Sequence, residues 1–395
     1  MALAVSLSAV SVCCRAYATK EYDKTVRGVT YTYTVENNAA AILYCEANSA
    51  YIKEHPVIRI PSKLGGYPVK TIESFIIMTE WDPEDLAQQK ITLPVVNKVV
   101  VPASVETIGK KLNPNDGIGG FTAFTIKRIH LGKNVRQIRS NPFFCDKITV
   151  HKDNPYFVSE KGLRLYNKKK TQLYAYLPSN KAKKYTLANS VRVIKSGAFC
   201  NSSLKQLNTN RAVKAEAGAF DMCYRLSVLT LGKAMKNYEP SRPGSQLKNG
   251  CNIVIDSDNR YLTLKNGALF NKKMTKLLQY FDTEDRTVYT VPKSVTHIGR
   301  MAFYDCYHLK RVKLPSGLTD IGDYAFCMCG LSSVTVPASV VRIGRYAISV
   351  DKSVTVKGMN TKIAYGGIYA ARVYAPKGSY AESYCQRNDI VFKEL

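Results

Sequence analysis

Towards the C-terminal end of the chain, apolar positions recur at long, regular intervals. Val291-Pro292, Leu314-Pro315 and Val336-Pro337 follow one another at steps of 23 and 22 residues, and Ile298-Gly299, Ile321-Gly322 and Ile343-Gly344 keep the same steps. Phe303, Phe326 and Ile348 recur behind them, as do Leu309 and Leu331. The unit reads L-x-x-V-x-L-P-x-S-V-x-x-I-G-x-x-A-F-x-x-C. In Leu309-Lys310-Arg311-Val312-Lys313-Leu314 the later apolar residues alternate with charged ones, which predicts a half-buried strand. Pro315 ends that strand because it has no amide hydrogen to give to a ladder. Ile321 and Phe326 lie in the return path, where a single unit cannot bury them. Stacked units bury such residues as continuous ladders.

The same unit is visible earlier in weaker form. Val101-Pro102 stands before Ile108-Gly109, Leu131-Gly132 before Val135 and Ile138, and Leu187 before Val191, Ile194 and Phe199, with Leu231-Gly232 beyond and Ile60-Pro61, Ile72 and Phe75 upstream. A longer echo overlies it. Tyr185 to Val191 matches Tyr289 to Val295 at an offset of 104 residues, and Asn154-Pro155-Tyr156-Phe157 with Asn167-Lys168-Lys169 matches Asn259-Arg260-Tyr261-Leu262 with Asn271-Lys272-Lys273 at 104 to 105. Two such blocks argue for duplication of a whole array.

Read together, these motifs closely resemble the BspA-like (Treponema pallidum-type) leucine-rich repeat over roughly residues 56–395. The resemblance implies an α/β solenoid: a leucine-rich-repeat right-handed superhelix with a parallel concave β-sheet, β-hairpin inserts and capping elements. Its division would be a signal peptide at 1–18, an N-terminal β cap at 19–55, repeats at 56–374 and a C-terminal cap at 375–395. The segments 154–178 and 259–281 resemble hairpin-containing long repeats, and the residues from Ala375 to Phe392 a terminal cap closed by a short helix. It also implies extracellular binding, and it names no ligand.

Two places break the period, at inserts near 76–98 and 111–126. The first carries the acidic run Glu80-Trp81-Asp82-Pro83-Glu84-Asp85 with the single Trp, and the second Asn113 to Gly120. Insertions in repeat proteins fall on loops, which are either tolerated surface or binding elements.

Composition adjusts this picture at the N-terminal end and in the charge. Residues 2–14 are an apolar run too short to span a bilayer, and Ala16-Tyr17-Ala18 follows as an A-x-A site, so a signal peptide and a secreted chain are expected. No Lys or Arg precedes that run, and Arg15 stands just before the expected cleavage, both departures from the ideal pattern. No later stretch has the length of a membrane span. Of 11 cysteines, Cys13 and Cys14 fall in the leader, leaving an odd number in a chain large enough to need no disulfides. Cys223, Cys306 and Cys329 each follow a Phe by three residues, so register alone explains them as small buried apolar groups.

Catalytic and cofactor motifs are not evident. Gly117-Ile118-Gly119-Gly120 lacks the spacing and the Lys-Ser/Thr of a phosphate loop. Asp256-Ser257-Asp258-Asn259 begins like a calcium loop, but Arg260 and Tyr261 occupy places that need an oxygen ligand and a Gly. His55, His130, His151, His297 and His308 belong to no metalloprotease or hydrolase motif, and Cys306 with His308 makes a nucleophile pair only if the repeat is ignored. The expectation is a monomeric, non-catalytic scaffold for adhesion or host interaction with neither cofactor nor metal; the alternatives are an accessory module that binds acidic polysaccharide or cell-wall polymer and, less favoured, a hydrolase hidden in the inserts.

Charge points to the partner. Lys plus Arg number 57 against 30 Asp plus Glu, a net charge of +27. Aligned strand units place Arg128 and His130, Lys147, Lys184, and Arg311 and Lys313 at equivalent outward positions, with rungs about 4.8 Å apart. With Trp81 these are the candidate ligand-binding residues. The partner they suggest is an extracellular protein or an anionic polymer, such as a host matrix protein or an acidic glycan. Nucleic acid is disfavoured, since no aromatic residues interleave with the bases for stacking. The plainer reading is that the lysines are solvated edges that block lateral aggregation.

Overall fold

The computed structural model describes residues 20–75, 77–79, 92–109, 125–139, 143–239 and 251–395. The chain winds as a β-solenoid of about twelve turns. Each repeat supplies a longer strand to one ladder and a two-residue strand to another. The pair Ile126–Leu131 and Cys145–Val150 represents the long ladder, parallel and in register from Ile126 opposite Cys145 to Leu131 opposite Val150. Arg311–Lys313 shows how the pattern works: Val312 points inward while Arg311 and Lys313 point to solvent. The short ladder is built from the Ile-Gly positions. Ile298 lies opposite Ile321, and Ile321 opposite Ile343. All three are buried, as expected for a stacked interior.

Turn chemistry explains the return path. Pro292, Pro315 and Pro337 cannot donate, but their carbonyls accept from the amides of Val295, Leu318 and Val340 at 3.0 to 3.1 Å. The tight turn so made swings these three apolar side chains into the core. The glycine after the isoleucine has a different cause: a Cβ on Gly322 would lie 2.7 Å from the Arg300 amide nitrogen of the preceding turn. At Gly322 itself a side chain would press on that backbone, so this turn favours a residue without one.

The duplicated blocks match down to single hydrogen bonds. In one, Phe157–Glu160 and Arg164–Asn167 form a hairpin joined by Gln172–Tyr176; in the other, Leu262–Lys265, Ala268–Asn271 and Lys276–Tyr280 do the same. Both break register at one place, Leu165/Tyr166 and Leu269/Phe270. Each block is anchored by a buried asparagine. The Asn154 amide donates to the Gly132 and Val135 carbonyls while its oxygen accepts from the Tyr156 and Phe157 amides. Asn259 repeats this with Gly232, Met235, Tyr261 and Leu262.

The expected α/β class is corrected to β. Among the described residues the helices are Ser49–Glu54 and Tyr380–Arg387, and the return path of each repeat is made of turns and two-residue strands. The second helix is capped by Ser379, which accepts from the Glu382 amide, while Glu382 accepts from the Gly378 amide. It buries Ala381, Tyr384 and Cys385 against the last turns. At the other end Val29–Glu36 lies between Glu21–Val26 and Ala39–Ala47 in an antiparallel sheet. Residues 1–18, Trp81 with its acidic run, and the segment 113–120 lie outside the described residues.

Candidate binding face

The candidate cations all lie on the long ladder, in three separate stretches of it. Arg128 stands directly opposite Lys147, and His130 opposite Thr149. The His130 Nδ1 and the Thr149 hydroxyl are 3.0 Å apart, and the His151 ring lies 6.2 Å from that of His130. Burial, with Lys98 and His151 nearby, lowers the pKa of His130 and favours the neutral ring. Lys184 belongs to the next stretch and faces Gln206, with Thr186 facing Asn208. Arg311 and Lys313 belong to a third, opposite Val288 and Thr290. The register thus brings Arg128 and Lys147 together but leaves Lys184 and the Arg311–Lys313 pair among polar and apolar neighbours. Trp81 falls outside the described residues.

Charge is arranged differently on the two ladders. On the short one, acids of one turn meet bases of the next. Glu106 accepts from both Lys70 and Arg136, the latter at 2.8 Å. Lys195 pairs with Glu216 at 2.7 Å, Lys214 with Glu239 at 3.0 Å, and Arg342 grips Asp320 through two nitrogens. On the long ladder Arg128, Lys147, Lys184, Arg311 and Lys313 are exposed. Among the described residues none of these five side chains has a hydrogen-bonding or ionic partner.

The long ladder is interrupted beside Arg311–Lys313. That strand pairs with Val288–Thr290 on one side, whereas the next strand, Ser333–Val336, belongs to a separate sheet with Ser353–Val356. A depression of about 560 Å³ opens there. Its cations are Arg311, Lys313 and Lys357, and its hydroxyls come from Ser316, Ser333, Thr335 and Ser339. No acid lines it. Lys357 escapes a sequence reading because it occupies the position that holds Pro315 and Pro337 in earlier units. The signal was present: Ser353-Val354-Thr355-Val356 repeats Ser333-Val334-Thr335-Val336, so the residue after each shares one register.

The remaining chemistry is structural in its geometry. His308 sends both its amide and Nδ1 towards one oxygen of buried Asp282, at 3.0 and 2.9 Å, fastening two turns together. The Cys306 thiol is pushed well up by its contact with Cys329 and by burial, which opposes the thiolate a nucleophile needs. Among the described residues no cluster of three or more His, Cys, Asp or Glu is arranged to hold a metal ion, and no helix is long and apolar enough to cross a membrane.

Two ladders, a shared aromatic interior and a turn repeated at fixed register define the class: a repeat solenoid that buries its leucine-type positions by stacking. The family model for the BspA-type leucine-rich repeat region matches in six copies, over residues 168–258 and 279–370. Over those two stretches the chain carries BspA-type leucine-rich repeats. Similar solved structures include the pneumococcal vaccine antigen PcpA, 15% identical, covering 95% of this chain and 99% of that one with a TM-score of 0.42. A leucine-rich cell surface protein from Faecalibacterium prausnitzii A2-165 is 17% identical, covering 94% and 97% with a TM-score of 0.42. A leucine-rich repeat protein from Bacteroides ovatus is 16% identical, covering 95% and 100% with a TM-score of 0.30. No curated protein matches the chain.

Proposed function

We propose that this chain is a non-catalytic binding scaffold working outside the cell, which holds an extracellular macromolecule against its long-strand ladder. One observation carries the reading: Lys70, Arg136, Lys195, Lys214 and Arg342 of the short ladder are paired with acids, whereas Arg128, Lys147, Lys184, Arg311 and Lys313 of the long one have no partner among the described residues. Pairing would lower the field of the long face, so leaving Arg128, Lys147, Lys184, Arg311 and Lys313 unpaired preserves it for steering an anionic partner. The BspA-type repeat supports the same role, because its rigid stack presents side chains at fixed intervals. A right-handed curve that makes the long ladder concave, a secretion signal in 1–18 and a monomeric state belong to this reading.

An array of matrix proteins and glycans probed with the purified chain tests it. At least one class of anionic target should be retained, with affinity falling steeply as salt rises past roughly 0.15 M, where exposed charges are screened beyond about 8 Å. Replacing Arg128, Lys147 and Lys184 with Ser should weaken binding more than replacing Lys168, Lys169 and Lys170. The second set is a fair control, because Lys168 donates to the Asn154 carbonyl at 3.2 Å and Lys170 pairs with Glu160 at 3.2 Å. Equal losses would indicate attraction to net charge alone and sink the assignment of a face.

A further inference from the structure

We infer that the depression beside Arg311–Lys313 is a subsite for an acidic polysaccharide, a sugar chain bearing carboxylate or sulfate groups. The inference rests on the scaffold reading above and adds a place and a ligand class to it.

Three features of the depression point to this class. The first is charge: Arg311, Lys313 and Lys357 converge on it without one acid in the lining. Arg311 and Lys313 are two residues apart on a strand and so share a face, while Lys357 reaches in from beyond the Ser333–Val336 strand. Such a triangle matches anionic groups spaced along an extended chain better than a single ion. The second is the hydroxyl content. Ser316 and Thr335 have no hydrogen-bonding partner among the described residues, while Ser333 and Ser339 are held by Ser353 and the Leu318 carbonyl. Hydroxyls that donate and accept complement sugar hydroxyls, which do both. The third is what the lining lacks. Its apolar part is Val312, Leu314, Pro337 and Ala338, with no aromatic or Met anchor. Protein partners concentrate their binding energy on such anchors in dry pockets, so the composition favours a glycan over an acidic protein surface.

The interruption of the sheet explains why the subsite is here. Where neighbouring long strands pair in register, side chains form a tight, flat ladder; where Arg311–Lys313 and Ser333–Val336 belong to separate sheets, the surface opens.

Binding of the full chain to dextran sulfate, hyaluronan, neutral dextran and poly-glutamate, measured by calorimetry at two salt concentrations, tests the inference. Dextran sulfate and hyaluronan represent the sulfate and carboxylate sources of the same chemistry. The wild type should bind one or both, and dextran not at all. The triple variant R311S/K313S/K357S should lose about tenfold or more in affinity, the effect expected when charge-assisted hydrogen bonds are removed. R128S/K147S/K184S should lose less. Unfolding curves of both variants should match the wild type, since all six side chains are exposed and lack partners. Poly-glutamate bound as tightly as the glycans would overturn the sugar class. Undiminished glycan binding by R311S/K313S/K357S would overturn the subsite while leaving the scaffold reading intact. Failure of the wild type to bind any anionic probe would instead defeat the charge-based scaffold reading itself.

Discussion

The rings of Phe303 and Phe326 stack with centroids 4.9 Å apart and planes 16° from parallel, one turn of the solenoid above the other. Tyr280 continues the stack below Phe303 at 5.3 Å, and Ile348 follows Phe326 in the same register. The duplicated block repeats the arrangement through Tyr176, Phe199, Phe220 and Tyr238. An aromatic column is therefore the axis of each array, and a gap in it should be felt by the turns on both sides.

Phe326→Ala should accordingly cost about 3 to 5 kcal/mol, the transfer energy of the ring plus a cavity that rigid neighbouring turns cannot close. Chemical denaturation should show a lower midpoint with a similar slope. A midpoint equal to that of the wild type would mean that Phe326 is not part of the core.

Asn259 should matter too, for a polar reason. Its side chain satisfies four backbone groups at the entry to the second hairpin, and it is buried. Asn259→Ala leaves those donors and acceptors without a partner, at a cost of about 2 kcal/mol or more. Asn259→Asp keeps the oxygen that accepts from Tyr261 and Leu262 but loses the donor to the Gly232 and Met235 carbonyls, and places a charge there. It should be no better tolerated. If unfolding shows both variants near wild-type stability, water replaces the side chain and the hub is dispensable.

Much of this fold was legible because its signals repeat. Ile298, Ile321 and Ile343 form one buried row, as their spacing predicts, and the Asn154 and Asn259 echo marks real hairpins. The α/β expectation came from the resemblance alone; no helical periodicity occurs between Ile321 and Phe326 to support it. The binding face was half legible. Alternation places Arg128, Lys147, Lys184, Arg311 and Lys313 outward, but it carries no information on where a ladder breaks. Nor does it show that Glu106, Glu216 and Glu239 neutralise only the other ladder, since those ion pairs span 21 to 36 residues of sequence.

The thiols give a third test. All nine cysteines of the described residues are free, with Cys223 and Cys306 buried as the register predicts and Cys329 only partly so. The intermediate position of Cys329 reflects the turn at Met328, which has a positive φ and an exposed side chain. Burial pushes the thiols of Cys251 and Cys327 up to about 11 and that of Cys223 further. Alkylation of the native protein should be slow everywhere and reach Cys251, Cys327 and Cys329 before Cys223 and Cys306. Under denaturing, non-reducing conditions all nine should react. A stoichiometric disulfide found there by mass spectrometry would contradict the structure.

The pH dependence of stability should show two windows with separate causes. His130 has a lowered pKa, because burial and the nearby Lys98 and His151 disfavour its charged form. The folded state thus resists a proton that the unfolded chain accepts near pH 6.5, so stability falls as pH drops through that value. Glu106 also has a lowered pKa, from its hydrogen bonds to Lys70 and Arg136. For an acid the consequence is stability present above its unfolded value near 4.5 and lost as pH falls through the lower folded value. These partners are largely exposed, so Glu106→Gln should cost less than about 1 kcal/mol at neutral pH, and less still in high salt. Urea unfolding of the wild type, H130Q and E106Q from pH 8 to pH 3 separates the two. The wild type and H130Q curves should differ in slope around pH 6, whereas the wild type and E106Q should converge only at the acid end. A difference between wild type and E106Q that persists unchanged to pH 3 would show that the substitution acts through packing, and that the bridge between turns contributes nothing by charge.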